Sequence, residues 1–279
     1  MKLNMGKAWS DATGLFGANR DTIFAVAGLF FFLPYLALAI FAPEAVNPTP
    51  VDAPPGTDPD VVMQAAMDAF TQQYADNWPY FLIVTIVQFI GTLSLLALLT
   101  DRGRPTVGEA LQQGVRSVLP YIAAQLLIVL AIALIIAVPV GILSAISPPV
   151  AGLVGFLMVI VAIYIFVKFA LVSPVIAIEG ELNPIKAMRR SWGLTKGNSL
   201  RLFGFMALLV IAIGVVSLLV TLVLGTVFAA FNASIAAIGN GVVSAIINAV
   251  IAVLFLCVLA AVHRQLAGPS NEATAETFE

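Results

Sequence analysis

The sequence predicts an all-α integral membrane protein, with six transmembrane helices and three amphipathic helices lying on one membrane face. Three observations predict it. Of 279 residues, 61% are apolar and 10% charged, against roughly 45–50% and about 25% in soluble domains. Mean hydropathy is +1.03, and six apolar runs each reach the about 20 residues that cross a bilayer. Twelve of the thirteen Lys and Arg residues fall on one side once those runs are threaded through a membrane.

The runs are 23–41, 79–99, 120–146, 150–178, 202–231 and 242–262. The first contains Ala37-Leu38-Ala39, which faintly resembles a signal cleavage site. Its apolar stretch exceeds the about 7–15 residues of a signal h-region and reads as a span. The third to fifth are longer than a straight crossing needs, so they must tilt, kink or pass beyond the hydrocarbon. Pro139 is expected to kink the third run or end it early, and Ser147-Pro148-Pro149 to make the next turn tight.

Orientation follows from the cations. Lys2, Lys7 and Arg20 precede the first run, and Arg102, Arg104 and Arg116 lie between the second and third. Lys186, Arg189, Arg190, Lys196 and Arg201 lie between the fourth and fifth, and Arg264 follows the sixth. The positive-inside rule makes this face cytoplasmic, with both termini inside; the expected location is the bacterial inner membrane. The long outer loop, 42–78, holds Glu44, Asp52, Asp58, Asp60, Asp68 and Asp76 without a cation. Its proline-rich first part should be extended. Asp58 then caps a helix that opens on Pro59, runs through Val62, Ala66, Ala69 and Phe70, and ends at Trp78 before Pro79 opens the second span. These carboxylates lack the spacing of a calcium loop and are expected to be solvated.

The cytoplasmic segments share a grammar. Asn4, Thr106 and Asn183 align as N-caps; Ala8, Ala110 and Ala187 follow four positions on, and Ala12, Gly114 and Ser191 eight on. Trp9, Leu111 and Met188 put a large apolar group at the fifth position each time. Thr106 with Glu109 has capping-box spacing, and Asn183-Pro184 pairs a cap with proline at the first helical position. Small residues one turn apart let a helix pack closely, while cations on the other face suit an anionic leaflet. The reading is a single membrane domain, 1–268, built from three copies of one unit (about 1–100, 101–178 and 179–268), then an acidic tail, 269–279, expected to be disordered.

The most informative stretch runs from Ser173-Pro174 through Glu179-Gly180 to the helix bearing Ala187, Ser191-Trp192 and a basic face. A proline near the end of a span, an acidic residue with glycine, and then Ala-x-x-x-Ser-Trp resemble the glycerophosphoryl diester phosphodiesterase membrane-domain family. Related six-span bacterial inner-membrane families are similar. The resemblance implies the six-span layout. It does not extend to the catalytic barrel that follows this domain in some members, because nothing after Gly268 is expected to form one.

Two groups of residues are candidates for function. Arg189 and Arg190 suit a phospholipid phosphate, with Glu179 orienting an arginine and Lys186, Lys196 and Arg201 extending the basic surface. Interfacial anchoring is the plainer use of the same cations. Lys168 is the one ionisable residue inside a span; it either snorkels to the inner headgroups, or lines a polar cavity or pairs with a carboxylate such as Glu179. Gln88, Gln125 and Asn248, the last sharing a face with Asn240 and Ser244, either bond between helices or line the same cavity.

Much is excluded. One cysteine, Cys257, and one histidine, His263, cannot make a disulfide or a paired-His metal site within a chain. Both read as structural. No phosphate-binding glycine loop, dinucleotide fingerprint or nucleophile elbow occurs, and no basic domain suits nucleic acid. Catalytic residues, metals and cofactors are assigned to none. The expected function is non-enzymatic: a partner of anionic phospholipids in envelope maintenance or membrane anchoring. A small transporter or lipid-translocating protein, with Lys168, Gln88, Gln125 and Asn248 lining its cavity, is the second reading, and an intramembrane enzyme the third. Membrane phospholipids are the expected partners, and a protein partner or self-assembly is left open.

Overall fold

Among the described residues, nine helices account for the regular structure and there is no strand. The structure is a computed structural model and describes residues 2–43, 54, 56–100 and 105–268. The helices are α1 (Met5–Ala18), α2 (Arg20–Phe41), α3 (Pro59–Leu98), α4 (Val107–Ser144) and α5 (Pro148–Phe169). Then come α6 (Val172–Ile178), α7 (Pro184–Thr195), α8 (Ser199–Ala229) and α9 (Ala233–Ala267). Among the described residues, six segments are long and apolar enough to cross a membrane: α2, α3, α4, α5 with α6, α8 and α9. Large apolar side chains such as Leu119 (77% exposed), Phe156 (69%) and Phe166 (67%) stand on their surfaces. In water such a surface would drive aggregation, whereas lipid solvates it. This is a multi-pass membrane protein.

Helix starts are fixed by local chemistry. Asn4 Oδ1 accepts from the Lys7 N–H, and Asn183 Oδ1 from those of Ile185 and Lys186. Thr106 and Glu109 form a full capping box. Asp58 Oδ1 accepts from the Asp60 N–H as α3 opens on Pro59. Each cap satisfies a donor that the first helical turn would otherwise leave open.

Helices continue past proline at three positions where the sequence expectation had a span open (Pro79, Pro120) or end early (Pro139). The outer helix and the second span are one helix, α3, which runs through Pro79. The second cytoplasmic helix and the third span are likewise one helix, α4, which passes Pro120 and Pro139 and ends only at Ser144. A proline removes one N–H, and lipid offers the neighbouring backbone groups no alternative partner, so continuing the helix is the cheaper response. Pro174 has the opposite outcome. It withholds a donor from the Ala170 carbonyl, and the helix breaks there, between α5 and α6. Residues 44–53, Arg102, Arg104 and the acidic tail lie outside the described residues.

The chain divides into two compact units. Unit 1 comprises 1–23, 92–212 and 254–279. In its core, Ala8, Ala110, Ala187 and Ser191 are fully buried, and Ala12 and Gly114 are buried as well. Hairpin α4–α5 and the whole of α6 also belong to it. Unit 2 comprises 24–91 and 213–253. Leu38 and Ala42 pack there against Phe81 and Val84. Gly91 lies so close to Phe30 that a Cβ on it would be 2.4 Å from the Phe30 Cβ. Within α2 a π-turn spans Gly28–Phe32 just before Pro34, and Asn248 Nδ2 donates to the Phe31 carbonyl in that turn at 3.1 Å.

Candidate functional site

The polar chemistry concentrates in unit 1, around the break in the fourth span. With α5 ended at Phe169, the Lys168 carbonyl has no donor from the next helical turn. Two hydroxyls from α7 take that place: Ser191 Oγ donates to it at 2.8 Å and Thr195 Oγ1 at 3.4 Å. This contact seats the buried face of α7 (Ala187, Ser191, Leu194, Thr195) on the break. The N-terminus joins the same assembly. The Leu3 N–H donates to Asn198 Oδ1 at 2.8 Å, and Asn4 and Gln265 exchange backbone-to-side-chain bonds at 3.2 and 3.3 Å.

Glu179 sits at the C-terminal cap of α6 and receives two partners. Arg190 Nε and Nη2 donate to its carboxylate at 3.0–3.1 Å, a two-pronged pairing. On its other side His263 Nε2 lies 2.9 Å from Oε1. An ionised carboxylate only accepts, so the Nε2 atom carries the proton in this contact. Burial pushes the Glu179 carboxyl up. The hydrogen bonds from His263 and Arg190, and their charges, outweigh it and hold the group at about 2, against an ordinary 4.5. Glu179 is therefore held as an anion, partly buried between two donors.

Lys168 is 3% exposed. Its side chain does not snorkel to the surface and is not paired with Glu179. The ammonium ends 5.4 Å from the centre of the Tyr164 ring and 5.2 Å from that of Trp192. Those rings meet edge-on, and Phe169 packs against Trp192 as well. The remaining cations of the basic segment stay outside. Lys186, Arg189, Lys196 and Arg201 are exposed, and none has an ion pair among the described residues.

The polar residues expected to share a cavity fall in different units. Gln125, in unit 1, donates to Tyr121 Oη at 2.6 Å along α4. Gln88, partly buried, and Asn248 belong to unit 2. A cavity of about 880 Å³ does exist in unit 1, but none of Lys168, Gln88, Gln125 and Asn248 lines it. Its polar lining comes from Ser10, Asp11, Asn19, Thr22, Thr100, Thr106 and Arg264.

His263 and the two rings around Lys168 were not legible as members of one site. His263 lies 84 residues from Glu179, so no spacing links them. The available signal was that the only histidine of the chain ends a span beside a cation. The comparisons with known proteins give one match. A family model, Domain of unknown function (DUF7847), matches residues 22–266. No curated protein and no solved structure matches the chain.

Proposed function

The chain belongs to the Domain of unknown function (DUF7847) family, and from the site itself we propose that this membrane protein binds anionic phospholipid headgroups through α7 without catalysing a reaction. One observation carries the reading: α7 buries its small face on the helix break while Lys186, Arg189 and Lys196 stay exposed and unpaired among the described residues. A cation near an anionic leaflet is worth about 1 kcal/mol, and cations left free by the fold are the ones that reach headgroups. The resemblance of 173–197 to the glycerophosphoryl diester phosphodiesterase membrane domain belongs to the same proposal.

The wider architecture proposed here has three copies of a cap, amphipathic helix and two spans, with α7 on the cytoplasmic face of a bacterial inner membrane and both termini inside. Matching caps at Asn4, Thr106 and Asn183 and matching burial at Ala8, Ala110 and Ala187 support the repeat. The twelve cations on one side support the orientation. Within this frame the protein serves envelope maintenance or anchors a partner.

The test is gentle extraction followed by native mass spectrometry, beside a variant carrying Lys186→Gln, Arg189→Gln and Lys196→Gln. The proposal expects retained anionic phospholipid on the parent and its loss from the variant. Equal, unselective lipid on both would refute it.

A further inference from the structure

We infer that the phosphate of the bound phospholipid lies against Trp192, held by the Lys168 ammonium and the Arg189 guanidinium, and that Arg190 is not one of its ligands; the inference rests on the phospholipid reading above.

Lys168 carries the argument. An ammonium has three N–H donors. Ring faces attract its charge but do not stand in for the oxygens it loses on leaving water. Among the described residues no oxygen accepts from Lys168 Nζ, which ends beside the Tyr164 and Trp192 rings. A buried cation of this kind lacks an anion, and Glu179, the acid that the sequence offered as its partner, is committed to Arg190 and His263.

The cover over Lys168 is thin. Tyr164 is 47% and Trp192 40% exposed, whereas Lys168 is 3%. The two rings beside the buried ammonium are thus themselves open to the surroundings, and the inference requires Trp192 to turn aside to admit a phosphate to it. On α7, residues three and four apart share a face, so Arg189 lies one turn before Trp192, while Lys196 caps the end of the helix in extended conformation. Both are exposed and unpaired among the described residues. Arg190 points elsewhere, into its two-pronged bond with Glu179. The result is a ring with the Lys168 ammonium against it and Arg189 on the same helix face, near the end of a span, where the abundant anion is a lipid phosphate. A guanidinium fork fits a phosphate edge and an ammonium adds a point charge.

Trp192 also reports on the site. The full-length chain, purified in detergent with Trp9→Phe and Trp78→Phe, leaves Trp192 as its only tryptophan. It is titrated with short-chain phosphatidylglycerol, with the matching phosphate-free diacylglycerol and with inorganic phosphate. The expected result is a saturable change in Trp192 emission with phosphatidylglycerol and none with diacylglycerol. Lys168→Met and Arg189→Gln should each weaken it by about tenfold, while Arg190→Gln stays within about twofold. The same change with inorganic phosphate supports the phosphate site and assigns it to the free ion. Arg189 is exposed, so its variant keeps the test decisive if Lys168→Met fails to fold. The inference is overturned if Arg189→Gln binds like the parent, if Arg190→Gln loses as much as Arg189→Gln, or if diacylglycerol gives the same change. A parent chain that responds to no phosphatidylglycerol would instead remove the phospholipid reading itself.

Discussion

His263 Nε2 and Glu179 Oε1 lie 2.9 Å apart across 84 residues of sequence. The histidine side chain is 5% exposed and the glutamate 19%. Through Arg190 the same carboxylate also holds α7. One anion thus joins the last turns of α9, the end of α6 and the middle of α7, all within unit 1.

This arrangement has a defined pH dependence. Glu179 is held at about 2 in the folded protein against an ordinary 4.5. A lowered acid contributes stability that is fully present above the unfolded value and is lost as pH falls through the folded one. The melting temperature in detergent should therefore fall between about pH 4.5 and about pH 2, and that slope should flatten in Glu179→Gln. At neutral pH the same variant should lose about 1–3 kcal/mol, because two donors lose a charged acceptor. An unchanged acid limb in Glu179→Gln would contradict the role assigned to this carboxylate.

The helix break makes a second prediction. Ser191 Oγ is the shorter of two donors to the Lys168 carbonyl. Ser191→Ala should destabilise by about 1 kcal/mol, and Ser191→Ala with Thr195→Val by more, since the carbonyl then lies buried without a donor. Denaturant titration of single and double variants measures this. A double variant as stable as the parent would mean that the break is satisfied in some other way.

Glycine substitutions separate close packing from mere helix propensity. A Cβ on Gly91 would meet Phe30 at 2.4 Å, whereas one on Gly214 would meet nothing within 4 Å. Gly91→Ala should cost about 1–3 kcal/mol through overpacking. Gly214→Ala should be neutral or slightly stabilising, because alanine favours the helix by up to about 1 kcal/mol. Thermal melts of the two variants should move in different directions.

Sidedness is testable without disturbing the fold. With Cys257→Ser, a cysteine at exposed Arg189 should react with a membrane-impermeant thiol reagent in inside-out vesicles and resist it in right-side-out ones. Reaction from the outer side would reverse the orientation drawn from the cations.

The spans were readable because lipid imposes one rule, length with apolarity, that a single residue rarely overrides. Caps were readable because Asn4, Thr106 and Asn183 act on donors two or three residues away. Proline was harder. Pro79, Pro120 and Pro139 are absorbed into continuous helices while Pro174 coincides with a break. The difference at Pro174 is a tertiary one: Ser191 and Thr195, from another helix, supply donors at the interruption. The same limit applies to the site. Glu179 and Arg190 are eleven residues apart and lie within one legible motif, but His263 reaches them only through the packing of α9, and Lys168 met two rings rather than an acid.

The central claim is that α7 presents its cations to anionic lipid, and photocrosslinking tests it most directly. Phosphatidylglycerol carrying a diazirine on its headgroup would be incorporated with the full-length protein into phosphatidylcholine vesicles, irradiated, and the adducts mapped by peptide mass spectrometry. The account predicts adducts concentrated on Pro184–Thr195 and around Tyr164, and their loss in Arg189→Gln. Adducts spread evenly over the apolar surfaces of α4, α5 and α8, and unaffected by that substitution, would contradict it.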